Sequence, residues 1–407
     1  MLYHLIRPVA RYVLRHYYRH IDITGLEHIP TDAPVILAAN HPTAFIEPCL
    51  LACFQHRTLH FLARGDLYKN GLAAAVLKAL NILPVYRLKD GGYSKLKHNF
   101  STFEDCFKVL SNRGAVMILA EGSCVHEKAL RPLRKGTARI ALGALDADVT
   151  LEEVYVVPVG VNFTRPEKMR SQVLIRCGAP MRASEYLADY RANPTPALTN
   201  FTRHLRARLN PLVVQFPAPE LAATGELRLE VDRAAHETAT QTGVTHKGSQ
   251  LDRELQLAQS IAERPTATAL AAELREHQLS LPPRTTAALT GGHLLRLAIG
   301  VLLLLPLVPV LALAQWIAAT RPKTIEFYSP VRFAAVAVGL LVWVPLVIIF
   351  TPWAVKAWVI LSLLTVGWAM RQVEIFSEHV KARRWVRLTP TTRKRVLELY
   401  NNALGQG

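Results

Sequence analysis

"APVILAANHPTAFIEP", residues Ala33 to Pro48, decides the reading of this chain. Its first half is a near-continuous apolar run of strand length closed by Asn40, the pattern of a strand buried on both faces. Its second half places His41 directly after that strand and a carboxylate, Glu47, further along the following turn. In a regular helix six steps would rotate the two side chains by ~240°, a poor facing. The segment therefore begins in a non-helical turn, which Pro42 and the small Thr43 and Ala44 suit, with Pro42 able to open a helix at its first position. Phe45 then packs the loop inward and leaves Glu47 free to reach back to the imidazole. A carboxylate on one ring nitrogen fixes the tautomer and leaves the other nitrogen as a base towards a hydroxyl group. The plainer reading of the same spacing is a capping histidine and an unrelated surface glutamate.

Further runs of the same kind lie on either side: "RTLHFLA", "NILPVYR", "AVMILAEG" and "EEVYVVPVGVNF". Helical stretches such as "GLAAAVLKAL" and "HNFSTFEDCFKVLSNRG" separate them. Strands alternating with helices predict an α/β domain with a mostly parallel sheet flanked by helices, over residues 21–217. Before it, residues 1–20 carry Arg7, Arg11, Arg15 and Arg19 beside Leu2, Ile6, Val9, Val13 and Tyr17 at helical spacing. That is an amphipathic N-terminal helix, suited equally to anionic lipid or to packing on the domain. From 218 to 290 the chain turns polar and Ala/Thr-rich, without strand signal, and is read as a helical extension. No internal repeat is evident.

The C-terminal part belongs to a membrane. No formal charge occurs from Leu297 to Thr320, or from Phe333 to Val355, and a shorter apolar run continues after Lys356 to Met370. A stretch of ~20 such residues spans a bilayer. Residues 291–370 are thus expected to hold two transmembrane helices, with three as the alternative if the second run hinges at Thr351-Pro352. The tail 371–407 is strongly basic, the flank expected on the cytoplasmic face, where the large N-terminal domain is placed too. The formal net charge of +17 fits a membrane surface. A nucleic-acid partner is not expected, since the sequence shows neither zinc-finger spacing nor an RNA-binding aromatic signature. The scattered cysteines Cys49, Cys53, Cys106, Cys124 and Cys177 supply no complete zinc site and read as reduced structural thiols. No metal and no bound cofactor are expected.

Chemistry-bearing residues recur after strand ends, where α/β sheets build their sites. "VYRLKDGG" offers Arg87 and Lys89, "ARGDLYKN" offers Arg64 and Lys69, and "LRPLRKGTARIAL" offers Arg131, Arg134, Lys135 and Arg139. Phosphate calls for fixed donors of this kind, above all the planar fork of arginine. "MILAEGSC" ends a strand in Glu121, Gly122 and Ser123; glycine allows close backbone approach, and the glutamate can orient a hydroxyl or hold an arginine.

Together these blocks resemble the glycerophosphate and lysophosphatidate acyltransferase family. "NHPTAFIEP" looks like its His-x4-Asp block, "LPVYR" its arginine block, "LAEGSC" its Pro-Glu-Gly block and "VVPVGVNF", with Pro158, its late strand. The resemblance covers Ile21 to Phe216. The longer gap before the carboxylate is similar to the branch of fungal-type glycerol-3-phosphate and dihydroxyacetone-phosphate acyltransferases and their bacterial relatives. Three positions depart from the pattern: Ile46 stands where the aspartate is commoner, Glu47 where the longer-gap branch usually has aspartate, and Ala120 where proline usually precedes Glu-Gly. The resemblance implies His41 as catalytic base with Glu47 behind it. It further implies Arg87 on the acceptor phosphate, aided by Arg131 and Lys135, with Glu121, Gly122 and Ser123 shaping the acceptor site. The implied co-substrate is acyl-CoA or acyl carrier protein, the acceptor a phosphorylated glycerol, and the surroundings membrane lipid. The rival expectations are a lysophosphatidate or other lysolipid acyltransferase and, from another class, a non-catalytic membrane-bound lipid-binding protein.

Overall fold

Three apolar runs set the centre of the sheet: β2 (Val35–Ala39), β5 (Ala115–Leu119) and β6 (Tyr155–Phe163). β2 is buried at every residue because it lies between β5 and β6, parallel to both. The other strands are β1 (His20–Thr24), β3 (Leu59–Arg64), β4 (Ile82–Val85), β7 (Gln172–Cys177), β8 (Met181–Arg182) and β9 (Gly243–Thr245). They run in the order β4-β3-β5-β2-β6-β7-β1-β9, with β8 paired to β6. Only β7 and β8 run antiparallel to their neighbour β6 among the described pairings. The computed structural model describes residues 2–68, 70–85, 98–236, 242–261, 265–277, 279, 281 and 289–404.

The chain divides into two units. One comprises Met1–Val214, Gly243–Leu251 and Pro322–Pro330; the other comprises Gln215–Thr242, Asp252–Arg321 and Val331–Gly407. In the first, the flanking helices are α1 (Leu2–Tyr17), α2 (Ile46–Phe54), α3 (Gly71–Ala79), α4 (His98–Ser111), α5 (Gly136–Ala147), α6 (Leu187–Ala192) and α7 (Pro194–Leu209). Ile36, Val116 and Val156 of the sheet bury against Cys106 and Leu110 of α4, Ile140 and Leu145 of α5, and Phe201 and Leu205 of α7. Each such apolar side chain contributes about 1.5–3 kcal/mol when fully withdrawn from water. The N-terminal helix is part of this fold: α1 buries Tyr3, Val13, Leu14 and Tyr17, and Arg11 lies over the Phe54 ring of α2.

One strand lies inside the stretch read as purely helical. β9 pairs in parallel with β1, Ile21 opposite Val244. Its three residues are too few to show periodicity, and a buried carboxylate does the anchoring: Asp22 accepts hydrogen bonds from Thr245 Oγ1 at 2.6 Å, Lys247 N at 2.9 Å and Gly248 N at 2.8 Å.

The second unit contains α8 (Ala222–Ala235), most of α9 (Ser249–Gln259), α10 (Pro265–Glu276) and the C-terminal α15 (Pro390–Leu404). Val231, Leu270, Leu274, Trp385 and Val396 form its small core. Arg233 and Glu254 are buried there as a two-bond pair at 2.7 and 2.6 Å. The apolar helices are α11 (Gly291–Leu304), α12 (Val308–Thr320), α13 (Tyr328–Phe350) and α14 (Trp353–Val386). A 3-10 turn, Leu305–Leu307, joins α11 to α12. Among the described residues, three segments are long and apolar enough to cross a membrane, Gly291–Thr320, Ile325–Phe350 and Trp353–Val386, the last two parted at Thr351-Pro352.

Candidate active site

His41 and Glu121 reach the same edge of the sheet because Ala39 of β2 pairs with Leu119 of β5. Each functional residue stands two positions beyond its paired residue, at the C-terminal ends where ligands of open α/β sheets gather. The loop that carries His41 is tied on three sides. Ala120 N donates to Ala39 O at 2.8 Å and Val125 N to His41 O at 3.3 Å. Asn40 bridges to β6, its Nδ2 donating to Val161 O at 3.0 Å while its Oδ1 accepts from Val161 N at 2.8 Å. On the third side Ala44 N donates to Glu326 O at 3.2 Å.

The turn after His41 is non-helical, as the spacing requires, and it is longer than Pro42 alone would make it. Helix α2 begins at Ile46, so Pro42 lies in the turn rather than at a helix start. Glu47 sits in the first turn of α2 and is fully buried. It does reach back: its Oε1 lies 3.6 Å from His41 Nδ1. Thr43 fixes the carboxylate, its amide donating to Oε1 at 2.6 Å and its hydroxyl to Oε2 at 2.8 Å. Burial of a carboxylate is tolerable only with donors of this kind. Among the described residues His41 Nδ1 is buried without a hydrogen bond; a histidine–carboxylate distance somewhat beyond hydrogen-bond range is common before substrate binds and tightens afterwards.

Glu121, Gly122 and Ser123 form the second arm. Gly122 has φ +72°, and a Cβ there would stand 3.0 Å from Arg134 Cγ, so the turn needs glycine. Arg131 folds back onto this turn. Its Nη2 donates to Glu121 Oε2 and to Ser123 O, its Nη1 to Ser123 Oγ at 3.1 Å, and its backbone amide to Glu121 Oε1 at 3.4 Å. Burial pushes the Glu121 carboxyl above the usual carboxylate range, against the pull of Arg131 and, more weakly, of His41. Arg206 of α7 holds the Arg131 segment in place by donating to Arg131 O at 2.6 Å and Leu130 O at 2.8 Å.

His41, Glu47, Glu121, Gly122, Ser123 and Arg131 thus belong to two neighbouring strand ends. Lys135 does not join them: it caps α5, and its ammonium donates to Thr199 Oγ1 at 2.7 Å. Arg87 lies outside the described residues. Sequence reasoning missed Asn40, Arg206 and Glu326, whose partners are 75 or more residues away. The Pro322–Pro330 segment is anchored at several points, for Tyr17 Oη and Ser329 Oγ lie 2.5 Å apart and His126 N donates to Glu326 Oε1 at 3.4 Å.

Such a site offers a base with a buried carboxylate behind it and an arginine–carboxylate pair beside it, suited to taking a proton from a hydroxyl group. Comparison with known proteins agrees in part. Residues 20–162 match the family model described as Acyltransferase. Two yeast proteins, Saccharomyces cerevisiae glycerol-3-phosphate O-acyltransferases 2 and 1, are 31% identical over 114 residues and 32% identical over 88 residues. These stretches cover 28% and 22% of this chain but only 15% and 12% of the yeast proteins. A solved structure, the 1-acyl-sn-glycerophosphate acyltransferase from Thermotoga maritima, aligns at a TM-score of 0.35 and 18% identity, over 50% of this chain and 80% of that one.

Proposed function

We infer that this chain, which carries an acyltransferase domain over residues 20–162, moves a fatty acyl group from an acyl thioester to a hydroxyl of glycerol 3-phosphate or dihydroxyacetone phosphate. The observation that carries this reading is His41 at the end of β2 with Glu47 buried behind its Nδ1 at 3.6 Å. Nε2 is then the nitrogen left for the acceptor. It takes the hydroxyl proton while the oxygen attacks the thioester carbonyl; the tetrahedral adduct collapses, the C–S bond breaks, and the thiolate leaves with the proton from the imidazolium. Glu47 stabilises the imidazolium between those two transfers. Acyl-CoA or acyl carrier protein brings the activated acyl group.

Arg131, fixed beside Glu121, contributes positive charge to the acceptor side, and Arg87 is the proposed phosphate ligand. The apolar helices anchor the enzyme in the membrane into which its product passes, and the basic tail supports a cytoplasmic placement of the catalytic unit.

The test is thiol release from palmitoyl-CoA by the detergent-purified protein, with and without glycerol 3-phosphate, beside the His41→Ala variant. Release that requires both the acceptor and His41 is the expected result. His41→Ala retaining full acceptor-dependent activity overturns the mechanism. Release with lysophosphatidate but not with glycerol 3-phosphate transfers the reading to a lysolipid acceptor.

A further inference from the structure

We propose that residues 291–320 do not cross the membrane: they enter and leave it through one face as a re-entrant segment bent at Leu305–Leu307, and only α13 and α14 span the bilayer. By length and apolarity alone Gly291–Thr320 qualifies as a crossing. The contacts it makes forbid a straight one.

Two registers conflict with a straight path. Against α13, Trp343 Nε1 donates to Pro306 O at 3.0 Å, and a Cβ on Gly339 would meet Val310 Cγ1 at 2.7 Å. Pairing therefore runs antiparallel, and Phe350 extrapolates to about the level of Ile299. Against α14, the corresponding Cβ on Gly300 would meet Ala369 O at 3.2 Å and Gln372 Cβ at 3.3 Å, and the His293 and His379 rings stand 4.8 Å apart. This pairing is antiparallel too, and it puts Trp353 at about the level of Ala318. On a straight helix Ile299 and Ala318 would be ~28 Å apart at ~1.5 Å per residue. Phe350 and Trp353 are separated by three residue steps, at most ~11 Å. Both registers hold only if the segment folds back at its middle.

The sequence supplies the bend. Pro306 and Pro309 remove two amide donors in "LLLLPLVPV", and the backbone there narrows to the 3-10 turn. A break at membrane depth needs its exposed carbonyls satisfied from within the protein. The indole of Trp343 does this for Pro306 O. Depth agrees from both partners. Counting along α13 from Arg332, Trp343 lies ~16 Å in; counting along α14 from Arg371, the level of Pro306 lies ~9 Å in. Both place the bend short of or near the middle of a ~30 Å hydrocarbon core. The legs, 14 and 13 residues long, are each too short to cross, in the range of re-entrant pieces. Arg296, in the second turn of one leg, and Arg321, over the Trp316 ring just past the end of the other, mark a common interface.

The test uses the full-length protein in sealed membrane vesicles of defined orientation. Thr290→Cys, Arg321→Cys, Thr351→Cys and Thr389→Cys variants are treated one at a time with a membrane-impermeant maleimide. Labelling is read on the modified peptide by mass spectrometry, which separates it from the native cysteines. Positions 290, 321 and 389 should label from one face and position 351 only from the other. Labelling of 290 and 321 from opposite faces overturns the re-entrant path; labelling of 351 from the same face as 389 overturns the two crossings. Should a variant fail to accumulate, trypsin on the wild-type protein answers the same question. Cleavage at Lys247 and at Lys323, exposed lysines on either side of the segment, is expected from a single face, and protection of one site while the other is cut overturns the re-entrant path. None of these readouts depends on the acyltransferase activity.

Discussion

Thr43 claims both oxygens of Glu47, so the residue between the base and its carboxylate sets their geometry. Removing a hydrogen bond to a buried charge costs about 1.5–3 kcal/mol, and misplacement of a catalytic group is amplified in rate. Thr43→Val should therefore lower kcat at least about tenfold with KM steady, and Thr43→Ser should restore most of the loss. Glu47→Gln keeps the shape but removes the charge behind His41, and its kcat should fall roughly 100-fold. Steady-state kinetics with saturating acyl-CoA reads both; an unchanged kcat for Glu47→Gln would separate the carboxylate from catalysis. Another residue governs response to acid. Burial, then the charges of Arg15 and Arg170, hold the His16 imidazole down at about 4. The unfolded chain takes up that proton near the ordinary 6.5, so the unfolded state binds more protons within this window. His16 therefore contributes stability that is complete above about 6.5 and drains away as pH falls towards about 4. His16→Gln should flatten that part of the profile, measured as Tm against pH in detergent.

At the scale of elements, legibility followed burial. β2, β5 and β6 are plain in the sequence because a strand covered on both faces carries an unbroken apolar run. The turn at Glu121–Ser123 is equally plain, since glycine adopts the φ of +72° at position 122 without strain and leaves room for the Arg134 side chain. β9 leaves no such trace. Its anchor, the bond from Thr245 to Asp22, closes a gap of 223 residues, and no local pattern announces a pairing of that range. Asp22→Ala tests the anchor. Three donors lose one buried acceptor, a cost of roughly 2 kcal/mol or more, and the amides of residues 243–245 should exchange with deuterium far faster than those of β2. Unaltered exchange there would show that the strand holds without its carboxylate. In the same way His41, Glu47 and Glu121 stand out by type and position after strand ends, whereas Arg206, donating to backbone carbonyls 75 and 76 residues away, looks like any other arginine on the polar side of an amphipathic helix.

For the whole molecule, the feature of most consequence is that the unit holding the candidate site is assembled from three pieces, Met1–Val214, Gly243–Leu251 and Pro322–Pro330. The family match ends at residue 162, and a soluble fragment designed on sequence alone would stop near 217. Such a fragment loses the carbonyl of Glu326 that receives the Ala44 amide, the Ser329 hydroxyl beside Tyr17, and the edge strand β9. A chain truncated after Val214 should accordingly be less stable than the full protein and retain under about a tenth of its turnover, a loss of the size expected when a catalytic loop is left unpositioned. Full turnover by the 1–214 fragment would mean that the later pieces only decorate the unit.

The lateness of the third piece orders the protein's birth. Until translation has passed residue 330, the loop bearing His41 lacks its bond to Glu326, yet by then the apolar stretch that ends at Thr320 has already been made. On the function proposed above, the nascent chain reaches the lipid before the loop of its base is complete, so the ribosome would deliver the protein to the bilayer ahead of switching it on.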